Sequence, residues 1–534
     1  MENTTILKKN YKYLLILSII IFIFGFLLLR PYQLQESGLM YSGDDEGYFA
    51  HSSSIVFFKF PSYEKESWVG GGNYPQYSIG PSTMALPFVL AGSLIDRLEG
   101  SAIVEQRNRE NIEDSWALFG FVLSTLFYFY IGIIFLYSGL RYYFNEKTSF
   151  FTILFMVLFQ YFPLYVFRRP VFSHIYEFTL QSILIYILLR NYKTDFLEKA
   201  GKKIIIIIGL MAGMIFLVRY NNIIFTLIWP VVLFCIKDGK FNFKKNWPKL
   251  LISYSMSIVL IFIFKLIPSI YYGDLFGQKN YISIFNSRLT AINNFIFYFK
   301  RIFHIFFWFD WGLIFTAPFI FIGLFYLFKI KSKLKIPMFL LFLPSLLNIY
   351  IAIKWGTQGG WYGYRYIVFS LIPVLVLPFA LFINNISKKL SYRKILIILF
   401  IAAIFPVLSM LAFEGNSTNL TLDYIKQYFG ISGWGNNTFQ LEVWKTLFTQ
   451  PVDFLTSIFK GGPLYFIYLI AHFFNFENHL PMIIVNKYSE FKTAVLIKTL
   501  IIYIFPFLMY FFTKKIIMKR ISYNPLRNGD LKNY

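Results

Sequence analysis

The sequence predicts an all-α polytopic membrane protein. Of its 534 residues, 57% are hydrophobic and only 15% are charged, whereas a soluble domain carries about 25% charged residues. Apolar runs of roughly 17–25 residues, the length that an α-helix needs to cross a bilayer, recur along the whole chain. The single cysteine, Cys235, excludes an internal disulfide.

The net charge of +24 is distributed as in a membrane protein and not as in a nucleic-acid-binding protein. In the topology predicted below, nearly all of the excess Lys and Arg lies on one side of the membrane. Positive charge collects on the cytoplasmic side, next to anionic lipid. We therefore expect membrane lipids as partners, no nucleic acid, and both termini in the cytoplasm.

The first span is predicted at about Tyr13–Leu29, retained in the membrane because no small-residue cleavage site follows it. A long outer loop, residues 31–114, comes next. It contains the apolar stretch Ile79–Ile95, which Pro81 and Pro87 interrupt. We predict that this stretch is interfacial or re-entrant, because an additional span would move every later basic loop to the outer side.

About twelve spans are predicted in total. Two of the spans after the first loop are short helices that flank the sequence Arg219–Asn222. The other spans with defined bounds run at about residues 115–137, 149–167, 171–189, 250–267 and 494–512.

The predicted organisation has two parts. Residues 1–413 form a transmembrane catalytic module that includes the outer loop 31–114. Residues 414–534 form an outer segment, a final transmembrane helix and a basic cytoplasmic tail. We find no short repeat and no linker to a separate soluble domain.

Three consecutive acids, Asp44, Asp45 and Glu46, follow the first span. Adjacent like charges repel, so at least one pKa is expected to rise unless cations or a metal lie nearby. A carboxylate near the membrane boundary suits a general base that deprotonates an acceptor hydroxyl or amine. The alternative, of equal weight, is a solvated turn in which Asp and Gly are turn formers.

Five cations lie at helix ends on the predicted outer side, where positive charge is scarce: Arg168, Arg169, Arg219, Lys354 and Arg365. Ionisable groups at membrane depth usually mark a functional path or a buried partner. Arg also binds phosphate bidentately, so these residues are candidates for holding a lipid-linked phosphate. Snorkelling to lipid headgroups is the alternative, chiefly for Arg168 and Arg169.

Two further groups are candidates for substrate binding. His174 and Glu177 are three residues apart at a helix start, so they share a face that either positions the acceptor or a phosphate or forms a structural hydrogen bond. Between Lys354 and Tyr366, glycines allow a ligand to approach the backbone and aromatic faces suit sugar rings. Routine interfacial aromatics are the alternative there.

Four stretches carry a resemblance to a known family: Asp45–Phe49, Tyr77–Pro87, Phe172–Tyr176 and Gly360–Tyr366. Their order and predicted side resemble the GT-C superfamily of membrane glycosyltransferases that depend on polyprenyl-phosphate-linked sugars. That superfamily includes protein O-mannosyltransferases and the aminoarabinose transferases that modify lipid A. The last stretch of the chain, after Tyr366, shows no such motif.

The resemblance implies a GT-C-like bundle with interfacial helices in the first outer loop. It implies an inverting glycosyltransferase that moves a sugar from a polyprenyl-phosphate donor to a lipid, glycan or protein acceptor. The active site would face the periplasmic side of a bacterial inner membrane. The donor is the expected small-molecule partner, and a divalent metal stays open as an additional cofactor.

The resemblance also implies roles for individual residues. Asp45 or Asp44 would be the base, with Glu46 in the same cluster. Many relatives place a second acid at the junction of the third and fourth spans, where this chain departs from the pattern. The residues expected to bind substrate or phosphate are Arg365, Arg219, Lys354, His174, Arg169, Arg168, Glu177 and Tyr366.

Two other function classes fit parts of the sequence. A transporter or flippase of a lipid-linked or amphiphilic substrate would also use arginines and aromatics within the membrane, but such folds usually show paired internal repeats. A glycan polymerase or ligase would place arginines in outer loops without an acidic cluster after the first span.

Overall fold

The computed structural model is helical, with one small β-hairpin among the residues that it describes. The structure describes residues 2–29, 34, 44–63, 77–100, 115–199, 201–237, 239–273, 299, 302–303, 305–307, 312–331, 333–355, 365–412, 447–452, 455, 459, 462–482, 485 and 493–517. For some of these residues only the backbone is described, and their side chains are not: 2–11, 44–45, 354–355, 366, 412 and 516–517.

The first half of the chain contributes nine helices to the described structure. Their bounds are α1 (Glu2–Leu28), α2 (Asp44–Val56), α3 (Gly80–Leu98), α4 (Trp116–Leu140), α5 (Glu146–Ile153), α6 (Phe162–Phe167), α7 (His174–Thr194), α8 (Lys202–Val218) and α9 (Ile223–Phe234). A π-helical turn, Leu154–Leu158, follows α5, and a 3₁₀ turn, Tyr220–Asn222, separates α8 from α9.

An antiparallel hairpin of β1 (Ile236–Lys237) and β2 (Lys240–Phe241) leads into the second half. The later helices are α10 (Phe243–Ile261), α11 (Ile267–Tyr271), α12 (Leu313–Thr316), α13 (Phe319–Lys329), α14 (Lys335–Trp355), α15 (Arg365–Ser387), α16 (Tyr392–Ala412), α17 (Gly462–Phe473) and α18 (Thr493–Phe512). The short irregular turns are π-helical at Phe262–Leu266 and Thr513–Ile517 and 3₁₀-helical at Glu477–His479.

Within the described ranges, six helices are long and apolar enough to cross a membrane, so the fold is that of a membrane protein. They are Trp116–Leu140, Phe243–Tyr271, Lys335–Ile353, Ile367–Ser387, Tyr392–Leu411 and Thr493–Lys515. Other predicted spans fall on shorter apolar helices such as Tyr220–Phe234, and the span predicted at 149–167 is divided by the π-helical turn Leu154–Leu158. The count of about twelve spans therefore stays a prediction.

The stretch predicted to be interfacial or re-entrant forms α3, a helix of 19 residues. It runs antiparallel to α4, because Gly92 packs against the carbonyl of Trp116 and Gly120 packs against the carbonyl of Phe88. The Tyr128 hydroxyl extends the same register by donating to the Met84 carbonyl at 2.9 Å. Small residues at both crossings let the two backbones approach closely.

The beginning of α4 is capped by a side chain of α3. The Asp96 carboxylate accepts hydrogen bonds from the backbone N–H groups of Trp116 at 2.7 Å and Ala117 at 2.9 Å. A carboxylate stabilises the free N–H groups at a helix N-terminus. The Lys498 ammonium of α18 lies 5.1 Å from the centroid of the Trp116 ring, so three helices meet here.

An aromatic core fixes the position of the first turn of α7 against α15. The ring of Phe369 on α15 lies 4.4 Å from that of Phe162, centroid to centroid. It also stacks on the imidazole of His174 at 5.1 Å and an interplanar angle of 19°. Close aromatic contacts contribute beyond their buried area, so the start of α7 is held rigidly.

We predict that Gly92→Ala and Gly120→Ala each destabilise the protein. An added Cβ at either position would overlap the backbone of the facing helix, and overpacking costs about 1–3 kcal/mol. The measurement is thermal unfolding of the purified protein in detergent. Gly201→Ala, where an added Cβ meets nothing within 4 Å, is the control, and an equal loss in all three variants would contradict the prediction.

Candidate functional site

A buried ion pair lies where α7 begins and α8 ends. Arg219 Nη1 donates to Glu177 Oε2 at 2.9 Å and lies 3.1 Å from Nδ1 of His174. The side chain of Glu177 is fully buried and that of Arg219 is 5% exposed. His174 and Glu177 therefore present the same face of α7 to one guanidinium.

A chain of amides continues from this ion pair into two other helices. The Asn222 amide donates to Glu177 Oε1 at 2.7 Å. Asn348 of α14 donates to Asn222 Oδ1 at 3.4 Å and to the Ser370 hydroxyl of α15 at 3.2 Å. Both carboxylate oxygens of Glu177 therefore accept a hydrogen bond, and the network connects α7, α14 and α15.

The break between α8 and α9 brings Arg219 to this position. Helix α8 ends at Val218, Arg219 has an extended backbone, and a 3₁₀ turn leads into α9. The Ser78 hydroxyl donates to the Val218 carbonyl at 2.6 Å and satisfies one group of the helix end. Non-helical backbone at membrane depth is tolerated where it is buried in protein or lines a cavity.

Two more arginines contact the segment before α7: Arg169, which belongs to it, and Arg365, the first residue of α15. The Arg365 guanidinium carbon lies 4.6 Å from the centroid of the Phe172 ring, and that of Arg169 lies 4.9 Å from it. Arg365 is 7% exposed and Arg169 is 5% exposed. The cation–π contacts hold two guanidinium groups beside the residues that lead into His174.

Arg168 is buried and bonds to the backbone. Its Nε donates to the Leu28 carbonyl at 2.7 Å, and its Nη2 lies 3.4 Å from the Leu411 carbonyl. Arg168 therefore ties the ends of α1 and α16 to the segment before α7. Snorkelling, the alternative considered for Arg168 and Arg169, is not observed, since both side chains are buried.

The acidic cluster lies at the start of α2, not in a turn. The backbones of Asp44 and Asp45 form its first residues, while their side chains are outside the described part of the chain, and Glu46 is half-buried. One turn later, the Tyr48 hydroxyl donates to the Ser173 hydroxyl oxygen at 3.2 Å. The first turn of α2 is thereby anchored next to the residue that precedes His174.

A second buried group lies further along α2. Nε2 of His51 lies 3.0 Å from the Tyr77 carbonyl and must donate to it, and Nδ1 lies 2.6 Å from the Tyr63 hydroxyl. Burial lowers the pKa of His51 to about 3, and the charge of Lys265 acts in the same direction. His51 is therefore neutral at physiological pH and ties Tyr63 and Tyr77 to α2.

Other predicted site residues lie outside the described side chains. These are Lys354 and Tyr366, whose backbones belong to α14 and α15. Among the described residues, no group of three or more His, Cys, Asp or Glu side chains is arranged to hold a metal ion. Because Asp44 and Asp45 are not in that set, a divalent metal stays a prediction.

The structure adds residues that the sequence did not single out. Asn222 and Asn348 extend the ion pair, and Tyr48 of α2 contacts Ser173, the residue before His174. Lys265 is buried in the π-helical turn after α10, with its ammonium 4.4 Å from the centroid of the Tyr220 ring. A lone lysine inside an apolar run was the signal for Lys265, because intramembrane charge is rare without a function.

No family model matches the chain, and no curated protein does. The apo crystal structure of the Archaeoglobus fulgidus oligosaccharyltransferase is similar, with 12% identity and a TM-score of 0.41 over 79% of this chain and 60% of that chain. Its complex with Zn and sulfate gives 13% identity and a TM-score of 0.40 over 80% and 58%.

The archaeal oligosaccharyltransferase AglB from Archaeoglobus fulgidus, in complex with an inhibitory peptide and a dolichol-phosphate, is also similar. It shows 11% identity and a TM-score of 0.37 over 78% of this chain and 60% of that chain. This chain thus spans about 60% of the length of the solved structures it resembles.

We predict that the Glu177–Arg219 pair is strongly coupled. Glu177→Gln or Arg219→Met alone leaves a buried charge without its partner, which costs about 3–5 kcal/mol. The double variant Glu177→Gln/Arg219→Met removes both charges and is expected to recover part of the loss. Thermal unfolding of the four proteins measures the coupling, and losses that simply add in the double variant would contradict it.

Proposed function

We propose that the protein is a GT-C-type inverting glycosyltransferase that uses a polyprenyl-phosphate-linked sugar. The observation that carries the proposal is that three arginines and the helix that begins with the acidic cluster all contact residues 169–174. The acidic first turn of α2 is anchored to Ser173 through Tyr48. Arg169, Arg365 and Arg219 contact Phe172 or His174 in the same segment.

In this proposal, Asp45 or Asp44 removes the proton from an acceptor hydroxyl or amine. The acceptor oxygen or nitrogen then bonds to the anomeric carbon as the bond from that carbon to the phosphate oxygen breaks. The sugar carbon passes through an oxocarbenium-like transition state, as in other glycosyl chemistry. Direct displacement from the opposite face inverts the anomeric centre. Polyprenyl phosphate leaves with the bonding electrons.

The arginines stabilise the negative charge that builds on the leaving phosphate. Because Glu177 balances the charge of Arg219, we assign Arg219 the role of holding the start of α7 in position. Arg365 then carries most of the phosphate binding. Lys354 is the third proposed phosphate ligand. The guanidinium of Arg365 keeps its charge even when buried, and its planar shape matches two phosphate oxygens.

We place the reaction on the periplasmic face of a bacterial inner membrane. Helix α8 begins with Lys202 and Lys203 and ends beside Arg219 after 17 residues, a length of about 25 Å. Basic residues mark cytoplasmic helix ends. The ion pair would therefore lie near the opposite, outer boundary of the bilayer, where a lipid-linked sugar and a lipid, glycan or protein acceptor both have access.

We predict that Asp44→Asn or Asp45→Asn lowers sugar transfer by at least about 100-fold, because the variant lacks its general base. Transfer from a polyprenyl-phosphate-linked sugar is measured in membranes that contain equal amounts of each protein. Glu146→Gln, at the start of α5 and near basic Arg141, is the matched control. Full activity in both aspartate variants would contradict the mechanism.

Arg365→Lys is predicted to lower transfer and weaken donor binding, since an ammonium does not replace a bidentate guanidinium. The readout is release of polyprenyl phosphate from the donor by purified protein.

A flippase would move the donor across liposome membranes without cleaving it, and a polymerase would lengthen a glycan. Donor movement without cleavage would replace the transferase proposal with the flippase.

A further inference from the structure

The end of α17 and the residues after it expose large apolar side chains. The exposed fractions are 79% for Phe473, 59% for Phe474, 58% for Phe476 and 78% for Met482. Contiguous exposed apolar groups usually mark a surface that contacts a partner or a membrane. This segment, residues 472–482, is the aromatic turn, and it contributes no residue to the site proposed for sugar transfer.

Backbone hydrogen bonds fix the shape of the aromatic turn. Asn475 has a left-handed backbone, with a φ of 57°. The N–H of Phe476 donates to the Ala471 carbonyl at 2.7 Å, and the N–H of Asn475 donates to the carbonyl three residues before it at 3.1 Å. This is the Schellman arrangement that ends many helices. His472 also contacts the carboxylate of Glu477, so formed structure holds the apolar side chains on the outside.

Helix α17 runs antiparallel to α18. In the first half of α17, the ring of Phe466 lies 6.2 Å from that of Tyr503, centroid to centroid. Further along α17, Leu469 belongs to the same buried cluster as Leu496. A later residue of α17 thus packs with an earlier residue of α18. The aromatic turn, which follows α17, therefore lies beside the beginning of α18.

Helix α18 places that beginning at a membrane boundary. Its exposed apolar side chains form one stripe along the helix: Ile497, Leu500, Ile504, Leu508 and Phe511. Two basic residues, Lys514 and Lys515, follow this stripe. A hydrocarbon core of about 30 Å corresponds to about 20 helical residues. Counted from Lys514, that length ends near Ala494, in the first turn of α18.

An exposed apolar face also leads along α17 to the aromatic turn. Ile467 is 46% exposed and Ile470 is 45% exposed. With Phe474 they follow a spacing of three and four residues, which defines one face of a helix. Phe466 and Leu469, which pack towards α18, are on other faces. The free face of α17 is therefore of the kind that contacts lipid.

We propose that the aromatic turn inserts into the interface between lipid and water, at the membrane boundary opposite to Lys514. The rings of Phe473, Phe474 and Phe476 enter the boundary between headgroups and acyl chains, as the apolar side chains of interfacial segments do. Polar neighbours such as Glu477 remain in the headgroup layer. The insertion holds the connection between α17 and α18 against the membrane, independently of the transferase site.

The test uses spin labels, because the single cysteine, Cys235, is buried and replaceable. In a Cys235→Ala background, Phe474→Cys and Phe476→Cys are labelled separately in the full chain and reconstituted into phosphatidylcholine vesicles. Collisions with oxygen, which concentrates in lipid, are compared with collisions with a water-soluble nickel chelate. We expect oxygen to dominate at both positions, as at Ile504→Cys on the exposed stripe of α18. Nickel collisions as frequent as at Lys240→Cys, exposed in the β-hairpin, would overturn the proposal.

A charged variant provides a second test. Phe474→Asp, in protein labelled at Phe476→Cys, is expected to make nickel collisions more frequent, because a carboxylate is costly within lipid. Asn478→Asp adds the same charge at an exposed polar residue of the turn and should leave the collisions unchanged. Equal effects of the two variants would overturn the proposal. Dipolar broadening between labels, with few collisions of either reagent, would assign the surface to a second copy of the chain and also overturn it.

Discussion

The buried contact between Arg219 and Glu177 is the constraint on which the rest of the structure depends. Two full charges leave water here, and their desolvation is offset only when the geometry is good and the remaining lone pairs are satisfied. Both oxygens of Glu177 accept hydrogen bonds, one from Arg219 and one from Asn222. This requirement fixes the start of α7 relative to the break between α8 and α9.

The fixed start of α7 organises the surrounding elements. Phe172 and Ser173 are held just before it, where they contact two more arginines and the anchor of α2. The buried guanidinium groups of Arg169, Arg219 and Arg365 therefore surround this segment, which α2 contacts through Tyr48. In a low-dielectric region buried positive charge interacts strongly with an anion.

Local patterns predicted much of this arrangement. The apolar runs indicated a helical membrane protein, the sequence Arg219–Asn222 indicated a break between two short helices, and the three-residue spacing of His174 and Glu177 indicated a shared face. Each of these signals lies within a few turns of one helix. The start of α2 at the acids was not expected, because Asp and Gly also favour turns.

Long-range pairing was beyond sequence reasoning. Nothing local indicates that Glu177 meets Arg219 across 42 positions or that Asn348 reaches Asn222 across 126. The π-helical turns, which divide one predicted span and hold Lys265, depend on packing and have no clear sequence signature. Six of the described helices are long and apolar enough to span, and the count of about twelve spans stays a prediction.

The most direct test of the central claim is a structure of the protein with a short-chain polyprenyl phosphate bound. The account predicts phosphate density within about 4 Å of the Arg365 guanidinium, in a cavity that the first turn of α2 also lines. Phosphate density at another place, with Asp44 and Asp45 pointing into open solvent, would contradict it.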